Sequence, residues 1–340
     1  MSGSGGPDRR GALLQVKLAA LVREHWGAEG ERGGYPSGAT LIAPGARGWV
    51  LLDRPDHRAL GGVLAWAHQR AVGEIHLLVD RAPGPAGILA RRAAAFSTPV
   101  EVWTVEDRVL RRTEPEALPG APELAPAVAA FVPLLRAQGV DPVVEHGALR
   151  GEVLGLEVAR VVIGTGEPHM EVGVGRHDRE AQELLFPHRD PAEALAIAVS
   201  TVRRLRLADA QPHLASTLAP ERWMRSVVIA HPDLVGAARL EAVAAVVPPP
   251  DLQQAAPAPA AGVDLEGRPL VVVCTTGVDL DAVPAAAEAR AADGRPSCRL
   301  VVAVPAAAAH PSVTGLLADL REPADLVAVP ADWRERSPVP

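Results

Sequence analysis

The sequence predicts an α/β protein with two related lobes, each a β-hairpin followed by a β-α-β-α-β unit with a mixed, mainly parallel sheet. The chain has 340 residues, 48% of them hydrophobic, which is enough to bury a sizeable core. Short apolar runs typical of buried strands alternate with alanine-rich stretches of helical periodicity. This rhythm over residues 48–105 recurs over 269–329, which predicts an internal duplication.

The first lobe is predicted to span residues 11–112, after a disordered tail at 1–10. Apolar residues at helical spacing, such as Leu14, Leu18 and Leu21, predict a first helix over 11–26. Two apolar runs around the turn signal at residues 44–45 predict a hairpin. Helix, strand, helix and strand follow, and strands joined by crossover helices are expected to be parallel.

A proline-rich linker at 113–126 leads to the second lobe, predicted over 127–332 and followed by a loose tail at 333–340. A helix near its start is expected to break or kink at Pro133. The tract 247–262 is rich in proline and alanine, which predicts an exposed, extended connection. Trp223 is interpreted as a packing anchor.

Composition limits the possible functions. A net charge of −7 argues against a general nucleic-acid coat protein, although a local basic groove or a protein partner stays possible. The two cysteines have neither zinc-site nor disulfide-framework spacing. No stretch has the length and apolarity of a membrane span or signal core, so we expect no membrane partner and a cytoplasmic location.

The best local clue is a predicted hairpin over 151–175 that carries two glutamates. The sequence is read as one strand through Glu157 and a second through Glu171, with a turn near residues 164–166. An even register would put both carboxylates on one face, about 4.5 to 8 Å apart at Cβ. An odd register would separate them.

Two interpretations of these glutamates stay open. Like charges this close require compensation, and a divalent cation such as Mg²⁺ or Mn²⁺ bound by Glu157 and Glu171 would supply it. Salt bridges to Arg160 and Arg176 would supply it equally well. His177 and Asp178 follow the second strand and could assist catalysis there, although Asp178 could instead cap a helix.

A second candidate site follows a predicted strand at Cys274, where the sequence reads CTTGVDLDAVP. Backbone N–H groups before a helix could bind an anion, with Asp279 or Asp281 on a cation or a ribose. The chain lacks a complete phosphate-loop or dinucleotide motif, and an aspartate in this position is typical of a helix cap.

Residues 74–110, EIHLLVDRAPGPAGILARRAAAFSTPVEVWTVEDRVL, resemble the late strand-helix-strand part of Mrr-type restriction-endonuclease-like domains. The preceding helix-hairpin-helix order also fits, so the resemblance extends over about residues 12–110. It implies DNA cleavage with a divalent metal held by an aspartate on one hairpin strand and an acid-x-Lys motif on the next. The matching strand here, GWVLLDR, lacks that motif, which implies a degenerate site.

In the second lobe, the resemblance places Glu157 and Glu171 at the two acidic positions, but Gly173 stands where the family has lysine. The chain also resembles an actinobacterial family, which implies no particular activity. The functional hypothesis is therefore a restriction-endonuclease-like protein with a reduced metal site. The alternative is a non-catalytic scaffold or partner-binding protein with duplicated lobes.

Overall fold

The protein is described by a computed structural model that covers residues 6–36, 38–80, 83–120, 123–164, 166–185, 189–207, 210 and 213–337. The chain divides into two compact units. The first unit comprises Met1–Leu118 with Pro311–Pro323, and the second comprises Pro119–His310 with Ala324–Pro340. Helices and three sheets, two of them partly parallel, confirm the α/β class.

The first unit has four helices and six strands in its described part. The helices are α1 (Gly6–Trp26), α2 (Ala59–Gln69), α3 (Pro83–Ala93) and α11 (Pro311–Ala318). The strands are β1 (Glu31–Tyr35), β2 (Gly38–Ala43), β3 (Arg47–Leu52), β4 (Glu74–Asp80), β5 (Val100–Glu106) and β6 (Val109–Arg112).

These six strands form one sheet in chain order. Strands β1 to β3 are antiparallel, β3, β4 and β5 are parallel, and β6 returns antiparallel to β5. The predicted hairpin is therefore β2–β3, and the predicted parallel strands are confirmed. Strand β1 was missed because its residues, ERGGY, lack an apolar run.

Helix α1 covers one face of this sheet, where aromatic side chains surround one histidine. The ring of His76 lies 4.9 Å from that of Trp26 and 5.2 Å from that of Trp49, and it is only 3% exposed. Carboxylates of Glu74 and Glu101 lie 3.3 Å from its two ring nitrogens. Burial lowers the pKa of His76 in spite of these carboxylates.

The second unit has seven α-helices and nine strands in its described part. The helices are α4 (Pro126–Ala129), α5 (Val132–Ala137), α6 (Arg176–Leu185), α7 (Pro191–Leu205), α8 (Leu214–Thr217), α9 (Pro220–Ala230) and α10 (Ala282–Asp293). The strands are β7 (Asp141–Glu145), β8 (Ala148–Val153), β9 (Leu156–Val162), β10 (His169–Val172), β11 (Ala237–Ala242), β12 (Ala258–Asp264), β13 (Pro269–Cys274), β14 (Arg299–Pro305) and β15 (Asp325–Val329).

Two sheets share the core of the second unit. Strands β7 to β10 form an antiparallel sheet in sequential order. Strands β11, β12 and β13 are antiparallel, and β13, β14 and β15 are parallel. The buried strands predicted at Leu270–Val273 and Leu300–Val304 are confirmed. Both larger sheets contain antiparallel strands followed by parallel ones, and the duplication itself stays a prediction.

The structure corrects several sequence-based boundaries. Helix α1 begins at Gly6, so residues 6–10 are helical rather than a disordered tail. The connection predicted at 247–262 is irregular over 247–257, but β12 begins at Ala258 and is largely buried, so the end of the tract is a strand. The predicted second lobe loses residues 311–323, which belong to the first unit. Pro133 lies in the first turn of α5, just after the break between α4 and α5.

The C-terminal residues also differ from the predicted loose tail. Trp333 is 1% exposed and packs edge-on against Trp223, with ring centroids 5.5 Å apart. The Trp223 indole N–H donates a 2.8 Å hydrogen bond to the Ser337 hydroxyl. Trp333 and Ser337 are thus buried against Trp223, which is confirmed as a packing anchor. Residues 338–340 lie outside the described part.

None of the described helices combines sufficient length with sufficient apolarity to cross a bilayer.

Candidate functional site

A tight turn divides the segment that the sequence analysis read as one strand. Leu154 and Gly155 join β8 to β9 and have φ of 47° and 79°. Positive φ at both positions is the geometry of a two-residue hairpin turn. A Cβ on Gly155 would lie 2.5 Å from the carbonyl carbon of Arg222 in α9, so only glycine fits. Glu157 therefore lies on β9, after this turn, and β9 pairs with the strand that carries Glu171, as the sequence predicted.

A buried arginine stabilises this turn. Arg206 is fully buried and donates a 2.6 Å hydrogen bond to the Leu154 carbonyl oxygen and another bond to the Leu218 carbonyl oxygen. Its guanidinium also lies 4.8 Å from the centroid of the Trp223 ring. Burial lowers the pKa of Arg206 to about 9. Arg206 therefore joins the turn to the helical layer that covers it.

Beside this turn lies a continuous chain of ion pairs, which we call the Arg–Glu network. Four glutamates and five arginines form it, contributed by β7, β8, β9, β10, α6 and α9. They are Glu145, Glu152, Glu157 and Glu171, with Arg150, Arg160, Arg179, Arg222 and Arg225.

The deepest carboxylate of the network is that of Glu152, which is 1% exposed. Its two oxygens accept hydrogen bonds of 2.6 Å from Arg222 and 2.5 Å from Arg225. Arg222 also donates a 2.6 Å bond to Glu145. Burial favours the neutral form of Arg222, but Glu152 and Glu145 hold its pKa above the usual value. This end of the network is held between strands and helix α9.

Glu157 lies at the centre of the network and has three arginine partners. Arg150 connects it to Glu145, with an Nη1 atom 3.2 Å from a Glu145 oxygen and 2.8 Å from a Glu157 oxygen. Arg160 and Arg179 approach Glu157 to 3.0 and 2.9 Å. Glu157 is 6% exposed, so this charge is compensated inside the protein rather than by solvent.

Glu171 does not face Glu157 across the hairpin. The β9–β10 register pairs Glu171 with Arg160, which is the odd one of the two registers considered from the sequence. Arg179 connects the two glutamates instead, with Nε at 3.8 Å from Glu171. Burial lowers the pKa of Arg179, and Glu157 and Glu171 partly offset this effect. Arg160 is confirmed as a partner of Glu157, whereas the side chain of Arg176 lies outside the described part.

The two other predicted site residues are at the start of α6. Asp178 is exposed and accepts a 2.7 Å hydrogen bond from the Val174 backbone N–H, so it tethers the first turn of the helix to the preceding loop. This bond agrees with a structural role at the helix end. His177 lies in the same turn, but its side chain is outside the described residues.

The network leaves little opportunity for metal chemistry. Five arginines against four glutamates give it one net positive charge, which opposes the entry of a divalent cation. Within the described ranges, no three His, Cys, Asp or Glu side chains are grouped so that they could share a metal ion. As arranged, the carboxylates can hold strands and helices together.

The second candidate segment, at the end of β13, is also engaged in internal contacts. Cys274 is fully buried and burial raises its pKa to about 12. The hydroxyl of Thr276 donates a 2.8 Å bond to Glu221 of α9, and Asp279 accepts a bond from the backbone N–H of Asp281. These contacts connect the segment to α9 and order the turn before α10.

Comparisons with known proteins give no further guide to this site. No family model matches the chain, and the comparisons with curated proteins and with solved structures found no match.

Proposed function

We propose that this chain is a non-catalytic partner-binding protein. The observation that carries the proposal is the pairing of all four glutamates of the Arg–Glu network with arginines. A metal-dependent nuclease requires carboxylate oxygens that can bind a cation and position water. Here Glu157, the central candidate ligand, is surrounded by three arginines within 3.0 Å.

The resemblance to restriction-endonuclease-like domains is compatible with this proposal. In the first unit, helix α1, a hairpin and helix α2 precede β4 in the order that the resemblance requires. Strand β3 nevertheless lacks the acid-x-Lys motif. We therefore propose a chain that keeps the architecture of such domains and uses it for binding.

Helix α6 is the surface that we propose for a protein partner. Arg179 on one side of α6 is 8% exposed and fixes the helix to the network. At the end of the same helix, Leu184 and Leu185 are 82% and 66% exposed. Adjacent exposed leucines on a well-anchored helix are a typical apolar anchor for a protein interface.

Affinity capture with the purified full chain tests this proposal. We expect a partner that binds the wild type but not the double variant Leu184→Ser/Leu185→Ser. The variant Val278→Ser is the control, because Val278 is also an exposed apolar residue, at 52%, but lies elsewhere in the second unit. Binding of the partner should then be repeated with the two purified proteins.

Two results would count against the proposal. One is a set of captured proteins that is identical for the wild type and the double leucine variant. The other is Mg²⁺-dependent cleavage of DNA by the purified chain that disappears in Glu157→Gln, because that result would assign a catalytic role to the network.

A further inference from the structure

A small cleft lies in the second unit, and its lining does not include Leu184 or Leu185. Its volume is about 120 Å³, and it is formed where β7 begins, where β8 turns into β9, and where α7 and α9 end. Its polar lining residues are Asp141, Arg203 and Ser226, and its apolar ones include Val153, Leu154 and Ile229. A cleft of this volume holds only a small ligand.

The cleft holds two opposite charges that do not contact each other. Among the described residues, neither the Asp141 carboxylate nor the Arg203 guanidinium has a hydrogen-bond or ion-pair partner. Both side chains are half-buried. Unpaired, partly desolvated charges are costly, and the Arg–Glu network shows how consistently this unit pairs such groups elsewhere.

The surroundings of Asp141 favour a cationic partner. Burial raises its pKa, Arg225 opposes this shift, and Glu152, which is opposite Asp141 on β8, reinforces it. Arg225 is already bound to Glu152. A positively charged group next to Asp141 would stabilise its ionised form.

Arg203 and the neighbouring helix ends complete the electrostatic pattern. Arg203 lies in the last turn of α7, and one of its Nη atoms would be 3.0 Å from a Cβ on Gly139, so the guanidinium lies against the backbone there. The Ser226 hydroxyl donates to the Arg222 carbonyl oxygen at 3.2 Å, which leaves its own oxygen as an acceptor. The C-terminal ends of α7 and α9 add partial negative charge.

We propose that this cleft binds a small zwitterion, such as a short amino acid, whose ammonium group pairs with Asp141 and whose carboxylate pairs with Arg203. A molecule with both charges compensates both side chains at once. A simple anion would leave Asp141 unpaired, and a simple amine would leave Arg203 unpaired. Ser226 would accept a hydrogen bond from the ammonium group.

A chemical-shift titration of the full ¹⁵N-labelled chain tests the proposal. Glycine, L-alanine and β-alanine are added separately to about 50 mM, because a ligand this small is expected to bind with about millimolar affinity. We expect saturable shifts at the cleft for at least one of the three. Acetate and methylammonium, which each carry one of the two charges, should bind at least about tenfold more weakly.

Matched variants locate the site. Arg203→Gln and Asp141→Asn should each weaken binding of the zwitterion at least about tenfold, whereas Arg204→Gln should change it less than about twofold. Arg204 is the control because it is the exposed neighbour of Arg203 on the same helix. Melting curves verify that each variant is folded.

The proposal is overturned if none of the three zwitterions gives saturable shifts at the cleft. It is also overturned if acetate or methylammonium binds the wild type as tightly as the best zwitterion, because the site would then recognise a single charge. These two comparisons use only the wild-type protein and so do not depend on whether a variant folds. Equal losses in Arg203→Gln and Arg204→Gln would likewise contradict it.

Discussion

Replacing Glu152 by glutamine removes the charge that two buried arginines share. Glu152 is 1% exposed, and Arg222 and Arg225 donate to its two oxygens at 2.6 and 2.5 Å. Removing one partner of a buried ion pair costs about 3 to 5 kcal/mol, because the remaining charge loses its compensation. Arg222 keeps its bond to Glu145, so this loss falls mainly on Arg225. A typical domain is stable by about 5 to 15 kcal/mol, so Glu152→Gln should remove a large part of the stability.

Urea unfolding followed by far-ultraviolet circular dichroism measures this loss. The matched variant is Glu171→Gln, because the side chain of Glu171 is 28% exposed and the nearest arginine atom among the described side chains is 3.8 Å away. That change should cost only about 0 to 1 kcal/mol. Equal effects of the two substitutions, or a cost below about 1 kcal/mol for Glu152→Gln, would refute the view that the buried network stabilises the fold.

Three further predictions concern other parts of the chain. Gly155→Ala should destabilise the protein by at least about 2 kcal/mol in urea unfolding, because alanine is strained at this φ and its Cβ would clash with α9. The control is Gly164→Ala, which lies in open space and should change the stability by less than about 0.5 kcal/mol. A thiol reagent at pH 8 should modify half-buried Cys298 before Cys274. Cys274 is fully buried, which raises the pKa of its thiol to about 12, so it should react only when the protein unfolds. Faster modification of Cys274 than of Cys298 would contradict this prediction. The pKa of His76 is lowered in the folded protein, so the unfolded chain binds more protons below about pH 6.5. The stability that neutral His76 contributes should therefore be lost as the pH falls below about 6.5. If the free energy of unfolding depends on pH in the same way in His76→Gln as in the wild type, this prediction is wrong.

Most of the regular structure could be predicted because its signals are local. The apolar runs at 270–273 and 300–304 have the length of buried strands and are separated by a helix-length segment, so a parallel β-α-β arrangement was the natural inference. Trp223 was correctly interpreted as an anchor because a large apolar ring on a helix is usually buried.

The turn at Leu154–Gly155 could not be recognised in the same way. Two-residue hairpin turns usually carry asparagine or aspartate before glycine, and leucine gives no such signal. Leu154 adopts positive φ because its side chain is buried in the core and its carbonyl is bonded to Arg206. The sequence reading therefore joined β8 and β9 into one strand, although it placed Glu157 correctly on the strand that pairs with that of Glu171.

The Arg–Glu network was missed for a different reason. Its partners are distant in sequence: Arg222 and Arg225 are 70 and 73 residues from Glu152. Periodicity within one segment cannot show which remote cation compensates a carboxylate. The sequence did indicate that Glu157 required compensation, but Arg179 was not considered as a source, because α6 was not predicted as a helix that folds back onto β9 and β10.

The central claim is that Glu157 and Glu171 belong to arginine pairs and do not form a metal site. The most direct test is thermal unfolding of the wild type and of Glu157→Gln, each with and without millimolar Mg²⁺ or Mn²⁺. We predict that the metals leave both melting temperatures unchanged and that Glu157→Gln melts below the wild type, because three arginines lose their shared partner. A metal-induced rise of several degrees in the wild type that is absent in Glu157→Gln would contradict the claim.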